Sequence, residues 1–174
     1  MVWRLPRILL HLVALAALGL LQGCMHGREA PPILPAMIVP ESPVPDAWPL
    51  QPNAFTISSQ YGSRDRVGGP NTKWHKGIDL SAPKGTPVYA TAPGKVVFSG
   101  EQSGYGNIVI LRHTEEYDTA YGHLHQRGVQ AGKHVKRGAL IGTVGQTGNA
   151  TGPHLHYEVR RYGEAVNPAP YLPR

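Results

Sequence analysis

Past residue 53 the chain never sustains the 3.6-residue apolar repeat of a helix, and that absence is the strongest constraint on its fold. Short runs rich in Val, Ile, Tyr and Thr stand in its place: Thr86 to Ala90, Lys95 to Ser99, Asn107 to Arg112, Asp118 to His123, Ala139 to Val144 and Leu155 to Arg160. Turn-forming segments separate them, such as Ala92-Pro93-Gly94, Ser103-Gly104-Tyr105-Gly106 and Gly145-Gln146-Thr147-Gly148. The pattern predicts one all-β domain of about 120 residues over 54–174. A domain of that size buries a core without disulfides. None could form within the chain, because Cys24 is its only cysteine.

The first 53 residues read differently. Arg4 and Arg7 precede an almost wholly apolar run from Ile8 to Leu21, interrupted by His11, and Leu21-Gln22-Gly23-Cys24 follows. Fourteen positions are short for a membrane span and suit the core of a signal peptide. The segment resembles a bacterial lipoprotein signal over 1–23, which implies cleavage before Cys24, lipidation of that residue and export. An uncleaved anchor or plain secretion would export the chain too. In lipoproteins of double-membraned bacteria an Asp after the Cys favours inner-membrane retention. Met25 stands there, so the resemblance implies anchoring that faces the periplasm, with the outer membrane favoured. Residues 24–53 read as a lipid-anchored linker. Eight of the 29 positions from Met25 to Asn53 are proline, a composition that favours extended polyproline conformation. At about 3.1 Å per residue that stretch would reach roughly 90 Å.

The formal net charge is +6, and 15 basic against 11 acidic side chains remain once residues 1–23 are set aside. Membrane headgroups or anionic wall polymers fit this mild excess, as does an ordinary soluble surface. Nucleic acid does not, because no dense basic run or interleaved aromatic stripe is present.

Nine histidines invite sorting. His154-Leu155-His156-Tyr157-Glu158-Val159-Arg160 alternates polar and apolar. On a strand, Leu155, Tyr157 and Val159 would face the core, with His154, His156 and Glu158 on the other face. Two imidazoles about 7 Å apart along one strand face can serve one metal centre, one as ligand and one beside it. A solvent-facing polar row would give the same spacing. His75 and Asp79 would stand about 13 Å apart if extended, too far for one ion. The chain must bend between them, and Gly77 permits a bend. His75, Asp79 and one later histidine would make three ligands and leave a fourth position open, the pattern of a catalytic zinc site. Tyr121-Gly122-His123-Leu124-His125 supplies a second His-x-His pair, and spacing alone does not choose between the two pairs. His113 and His134 read as polar surface or local hydrogen bonding, and Glu158 as a solvent-facing carboxylate rather than a partner of a histidine.

Taken together, these segments resemble the lysostaphin-type zinc endopeptidases, which cut peptidoglycan. Tyr61-Gly62-Ser63-Arg64, His75-Lys76-Gly77-Ile78-Asp79-Leu80, Gly104-Tyr105-Gly106-Asn107, Tyr121-Gly122-His123-Leu124 and Gly152-Pro153-His154-Leu155-His156 occur in the family's order between about Tyr61 and Arg160. The resemblance implies a β-sandwich with a groove over its sheet, one zinc ion held by His75, Asp79 and His156, and catalytic histidines at His123 and His154. It leaves His125 without a role. Two positions depart from the family pattern. Asp65-Arg66 replaces a common His-Pro step, and Ala150 stands where Ser is usual. Both bear on turns near the groove rather than on the metal.

What the resemblance implies is a peptidase acting on peptidoglycan crosslinks or stems, in wall remodelling or separation. A stem-to-stem crosslink is the favoured bond, with a glycine-rich bridge as the alternative. The main rival is a non-enzymatic, wall-binding activator of another murein hydrolase, such as a wall amidase. Such relatives lack parts of the His/Asp set, and this chain keeps all five positions. A phosphotransfer or biotinyl-type carrier fits less well, because carriers work in the cytoplasm and this chain reads as exported.

Overall fold

The computed structural model describes residues 41–63 and 74–174, which belong to one compact unit, Val39–Arg174. The signal segment, Cys24, most of the Pro-rich stretch and the Asp65-Arg66 departure lie outside the described residues.

Among the described residues twelve strands follow one another: β1 (Thr56–Ser59), β2 (Gly62–Ser63), β3 (Trp74–His75), β4 (Ile78–Ser81), β5 (Pro87–Tyr89), β6 (Gly94–Gln102), β7 (Gly106–Arg112), β8 (Tyr117–Arg127), β9 (His134–Val135), β10 (Leu140–Val144), β11 (His154–Arg161) and β12 (Glu164–Val166). A single 3-10 turn at Ala169–Tyr171 is the only helical element among the described residues. Each of the six runs expected from composition forms a strand. β1 and β4 were not among them: β1 is four mostly exposed residues at a sheet edge, and β4 has too few residues to show a period.

Ten strands form one antiparallel sheet along the path β1-β4-β11-β8-β7-β6-β9, with β12 beside β11 and β10 linking β8 to β5. β2 and β3 make a separate two-stranded ribbon. The sheet forks along β8. Tyr117 to Gly122 pair with β11, whereas Leu124 to Arg127 pair with β10. His123 falls at the fork, with φ of +59°. The register of β8 against β7 also slips there, between the Asn107 and Val109 pairs. An extra residue in a strand bends it and re-aims a side chain, and that is the effect here.

Side chains from both limbs of the fork meet in one core. Leu80 and Leu155 come from one limb, Val88 and Ile141 from the other, and Leu111, Tyr121 and Leu124 lie between them, all fully buried. Each such burial contributes about 1.5–3 kcal/mol. The sheet therefore covers its core from two sides, as the sandwich expectation required. Leu155, Tyr157 and Val159 do face the core. Within it, the Thr91 hydroxyl joins the Tyr121 and Tyr157 hydroxyls at 3.0 Å each, so these buried polar groups are satisfied. The packed unit also reaches further back than Ala54. Leu50 is buried, Trp48 packs against the core, and the Tyr89 N–H donates to the Pro49 carbonyl at 2.8 Å. The end of the proline-rich stretch is thus part of the domain's packing, because its two large apolar side chains find partners there.

Candidate metal centre and catalytic groove

On the face of the sheet away from the core, β4 and β11 place Asp79 directly opposite His156. Their neighbours Leu80 and Leu155 pair on the buried face, so the register alone sets the carboxylate beside the imidazole. His75 reaches the same point because the chain breaks at Lys76-Gly77 between β3 and β4. Gly77 is needed there for space. A Cβ at this position would stand 2.2 Å from the Tyr157 carbonyl oxygen and 2.9 Å from its carbon. The bend is pressed against the backbone of the strand that carries His156.

The three side chains are buried, and their ligand atoms lie within 4.8 Å of one another. Asp79 Oδ1 is 3.0 Å from His75 Nε2 and 2.8 Å from His156 Nδ1, and those two nitrogens are 3.1 Å apart. A tetrahedral ion with bonds of about 2.0–2.1 Å separates its ligands by roughly 3.3 Å, close to this triangle. The other ring nitrogens have committed partners. His75 Nδ1 lies 2.6 Å from the Gln60 carbonyl, which can only accept, so Nδ1 carries the proton. His156 Nε2 lies 3.0 Å from Glu158 Oε1 and is likewise the donor. In the neutral rings, two nitrogen lone pairs and a carboxylate oxygen therefore converge on one point. Such a point demands a positive charge. A proton on His156 can supply it, as can a metal cation, and the donor set fits zinc.

The titration behaviour follows from this crowding. Burial pushes the Asp79 carboxyl up, but hydrogen bonds with His156 and His75, together with their charges, outweigh it and hold the group well below its ordinary value. Burial lowers His156, yet its bonds with Asp79 and Glu158 and their charges leave it above its ordinary value. Glu158 is itself pushed up by burial, and bonds with His156 and Tyr105 plus the Arg160 charge bring it down to about 2.

His123 and His154 flank this centre. Their rings are 4.7 Å apart centre to centre, and His123 is 5.8 Å from His156. His154 Nε2 lies 3.8 Å from Asp79 Oδ1. Each ring anchors Nδ1–H on a backbone carbonyl: His123 on Thr147 at 2.7 Å and His154 on Gly152 at 2.8 Å. Nε2 of each is thus the basic nitrogen in the neutral form. Burial lowers the His123 pKa, and the neighbouring His154 and His156 lower it further, against an opposing bond from the Thr147 carbonyl. His123 is therefore neutral and able to accept a proton near pH 7. The five residues line a groove of about 360 Å³ with Trp74 and Tyr105 at its walls.

The structure brings together all five histidine and aspartate positions singled out in the sequence. His125 is exposed, and His134 is exposed on a short edge strand. His113 hydrogen-bonds the Pro93 carbonyl and the Thr119 hydroxyl at 2.8 Å each. Glu158 is a correction. It is fully buried and bonded to His156, not solvent-facing. The strand alternation put it on the face of His154 and His156, but only the fold reveals that this face is covered by Tyr105. Tyr105 and Arg160 were not singled out as site residues. The i, i+2 spacing of Glu158 and Arg160, which puts an opposite charge on the same strand face, was the available signal.

Residues 73–168 match the model of Peptidase family M23. The chain is 47% identical over 120 residues to the DD-carboxypeptidase/endopeptidase Mpg of Neisseria meningitidis, a match covering 68% of this chain and 28% of that protein. It is 41% identical over 147 residues to the uncharacterized lipoprotein YgeR of Escherichia coli, covering 79% of this chain and 55% of YgeR. The murein hydrolase activator NlpD of Salmonella typhimurium is 41% identical over 107 residues, covering 61% of this chain and 28% of NlpD. The chain thus spans about a quarter to a half of the length of these relatives. Among solved structures, a zinc-containing peptidase from Vibrio cholerae superposes with a TM-score of 0.67 at 35% identity, covering 73% of this chain and 39% of that one. The chain belongs to Peptidase family M23.

Proposed function

We propose that the chain is a zinc-dependent endopeptidase that hydrolyses peptide bonds in peptidoglycan crosslinks or stems, with His75, Asp79 and His156 as zinc ligands and His123 and His154 as catalytic residues. The observation that carries this reading is the convergence of three electron-pair donors on one point, beside two imidazoles whose Nε2 atoms are free to move protons. Bound there, zinc supplies Lewis acidity, polarising a carbonyl and acidifying water to a pKa of about 7. His123 and His154 divide the proton work. One takes the proton of the attacking water through Nε2; the other bonds the developing oxyanion or protonates the leaving amine. The Thr147 and Gly152 carbonyls hold both rings in the required tautomer. The matches to Mpg and to the zinc-containing peptidase support a peptidase, and the similarity to NlpD, a murein hydrolase activator, supports a role at the wall.

The similarity to YgeR supports a lipoprotein. In this reading residues 1–23 are a signal peptide, Cys24 is lipidated, and a linker that ends before Trp48, which packs against the core, tethers the catalytic domain to a membrane facing the periplasm, the outer membrane being favoured. The similarity to NlpD keeps a second reading in view, in which the chain activates another wall hydrolase, such as an amidase.

One experiment separates the two. Purified peptidoglycan is incubated with the zinc-loaded chain, with and without a chelator, and soluble products are identified by mass. The peptidase reading expects peptide-bond cleavage that the chelator abolishes. No cleavage by a chain carrying one zinc refutes it, and stimulation of an added amidase in that sample establishes the activator.

A further inference from the structure

We propose that Glu158 is a positioning residue for His156, held in place by Tyr105 and Arg160, and that Tyr105 ties this metal ligand to the fork that carries His123. The inference rests on the metal-centre reading above and concerns residues that reading does not use.

Glu158 is a fully buried carboxylate, and such a group is costly unless every lone pair is engaged. Here all of its capacity is directed. Oε1 accepts from the Tyr105 hydroxyl at 2.6 Å and from His156 Nε2 at 3.0 Å. Oε2 accepts from Arg160 Nε at 2.7 Å and Nη2 at 2.6 Å. A buried ion pair seldom stabilises a fold more than apolar side chains of the same volume would. Its location directly behind a ligand supplies another role. A neutral imidazole has one N–H, and Glu158 claims it for Nε2, which leaves the Nδ1 lone pair aimed at Asp79 and His75. A carboxylate on the far nitrogen also makes the ligating nitrogen more basic and fixes the ring plane.

Tyr105 makes this more than a local pair. Its hydroxyl donates to Glu158, while its backbone carbonyl accepts from the His123 N–H at 2.8 Å. Its ring lies 5.6 Å from the His156 ring and sits over Gly122, where a Cβ would stand 3.2 Å from the Tyr105 ring. Gly122 pairs directly with His156 and precedes His123. One residue of the β6–β7 turn therefore bears on the ligand and on Gly122 through its side chain, and on the strained position that aims His123 through its backbone carbonyl.

The test measures zinc affinity by competition with a chromophoric chelator, and thermal stability of the metal-free chain, for the full chain and three variants. Glu158→Gln is expected to weaken zinc binding by about 10–100-fold. Tyr105→Phe keeps the ring and removes only the donor, so it is expected to weaken zinc by a smaller factor, up to about tenfold. Thr91→Val removes the hydroxyl between Tyr121 and Tyr157 in the core, and should lower the melting temperature while leaving zinc affinity at the wild-type value. Wild-type affinity in both Glu158→Gln and Tyr105→Phe overturns the inference. If Glu158→Gln does not fold, Tyr105→Phe decides alone: an unchanged dissociation constant overturns it, and a weakened one upholds it. A wild-type chain that takes up no zinc instead refutes the metal centre itself, an outcome read before any variant is compared.

Discussion

Replacing Gly77 by alanine tests the geometry of the site at its tightest point. The added Cβ would lie 2.2 Å from the Tyr157 carbonyl oxygen and 2.9 Å from its carbon. Ordinary van der Waals contact starts at 3.4 Å, so the bend before β4 and the backbone of β11 must part by roughly 1 Å, since the nearest atoms are backbone rather than a flexible side chain. Overpacking of this kind costs about 1–3 kcal/mol. For a domain of this size that corresponds to a fall in melting temperature of roughly 3–5 °C per kcal/mol. The displacement falls on the pairing that sets Asp79 opposite His156, whose atoms are now 2.8 Å apart. A misplacement of about 1 Å costs a catalytic arrangement on the order of 100-fold. Gly77→Ala should therefore lose both thermal stability in the metal-free chain and about 100-fold in wall hydrolysis per bound zinc. Differential scanning calorimetry and release of soluble wall peptides measure the two. An alanine variant that matches the wild type in both would refute the argument, because it would mean the bend at Lys76-Gly77 does not press on β11.

The proposed division of labour predicts that His154→Ala keeps most zinc and loses most hydrolysis, whereas His75→Ala or Asp79→Ala loses both; metal content by mass spectrometry beside the wall assay distinguishes them. His123→Ala should behave like His154→Ala in the same pair of measurements. His113 carries a pH prediction. Burial holds its pKa below the ordinary 6.5 in the folded chain, outweighing its bond to the Pro93 carbonyl and the Asp118 charge. The unfolded chain thus binds the proton first as pH falls, so this residue's contribution is intact above about 6.5 and declines as pH drops from there toward the folded value. Urea unfolding at a series of pH values should show a flatter slope for His113→Gln than for the wild type just below pH 6.5, and equal slopes would contradict it.

The two kinds of site residue differ in how far the sequence exposes them. Alternation over His154 to Arg160 is a local property, and it placed Leu155, Tyr157 and Val159 in the core as observed. The bend between His75 and Asp79 was also legible, because two residues four apart cannot share an ion on a straight strand. Its cause was not. Gly77 reads as a residue allowing a turn, while the structure shows that it leaves room for another strand's backbone, a contact between positions 80 apart in the chain. Glu158 shows the same limit from the other side. Alternation puts it on the outer face, and an outer-face glutamate ordinarily meets water. Here the Tyr105 ring, arriving from a turn more than 50 residues earlier, closes over that face.

The choice between the two His-x-His pairs is the sharpest case. His123 and His125 on β8 have the same spacing as His154 and His156 on β11, so periodicity cannot rank the pairs, and the family resemblance was needed to select His123. The structure supplies the physical reason. β8 hands over from β11 to β10 between Gly122 and Leu124, and the residue at the handover takes φ of +59°. That conformation turns His123 out of the strand's ordinary alternation and lets Nδ1 reach the Thr147 carbonyl. His125, two residues beyond, follows the buried Leu124 and faces solvent. A histidine at a left-handed position is strained unless its surroundings hold it there. The Thr147 carbonyl does so at the ring and the Tyr105 carbonyl at the backbone N–H. The fork in the sheet thus does for His123 what the bend at Gly77 does for His75. Each interrupts a regular strand, at His123 in one case and at Lys76-Gly77 in the other, and each break delivers an imidazole to a point that straight strands could not reach.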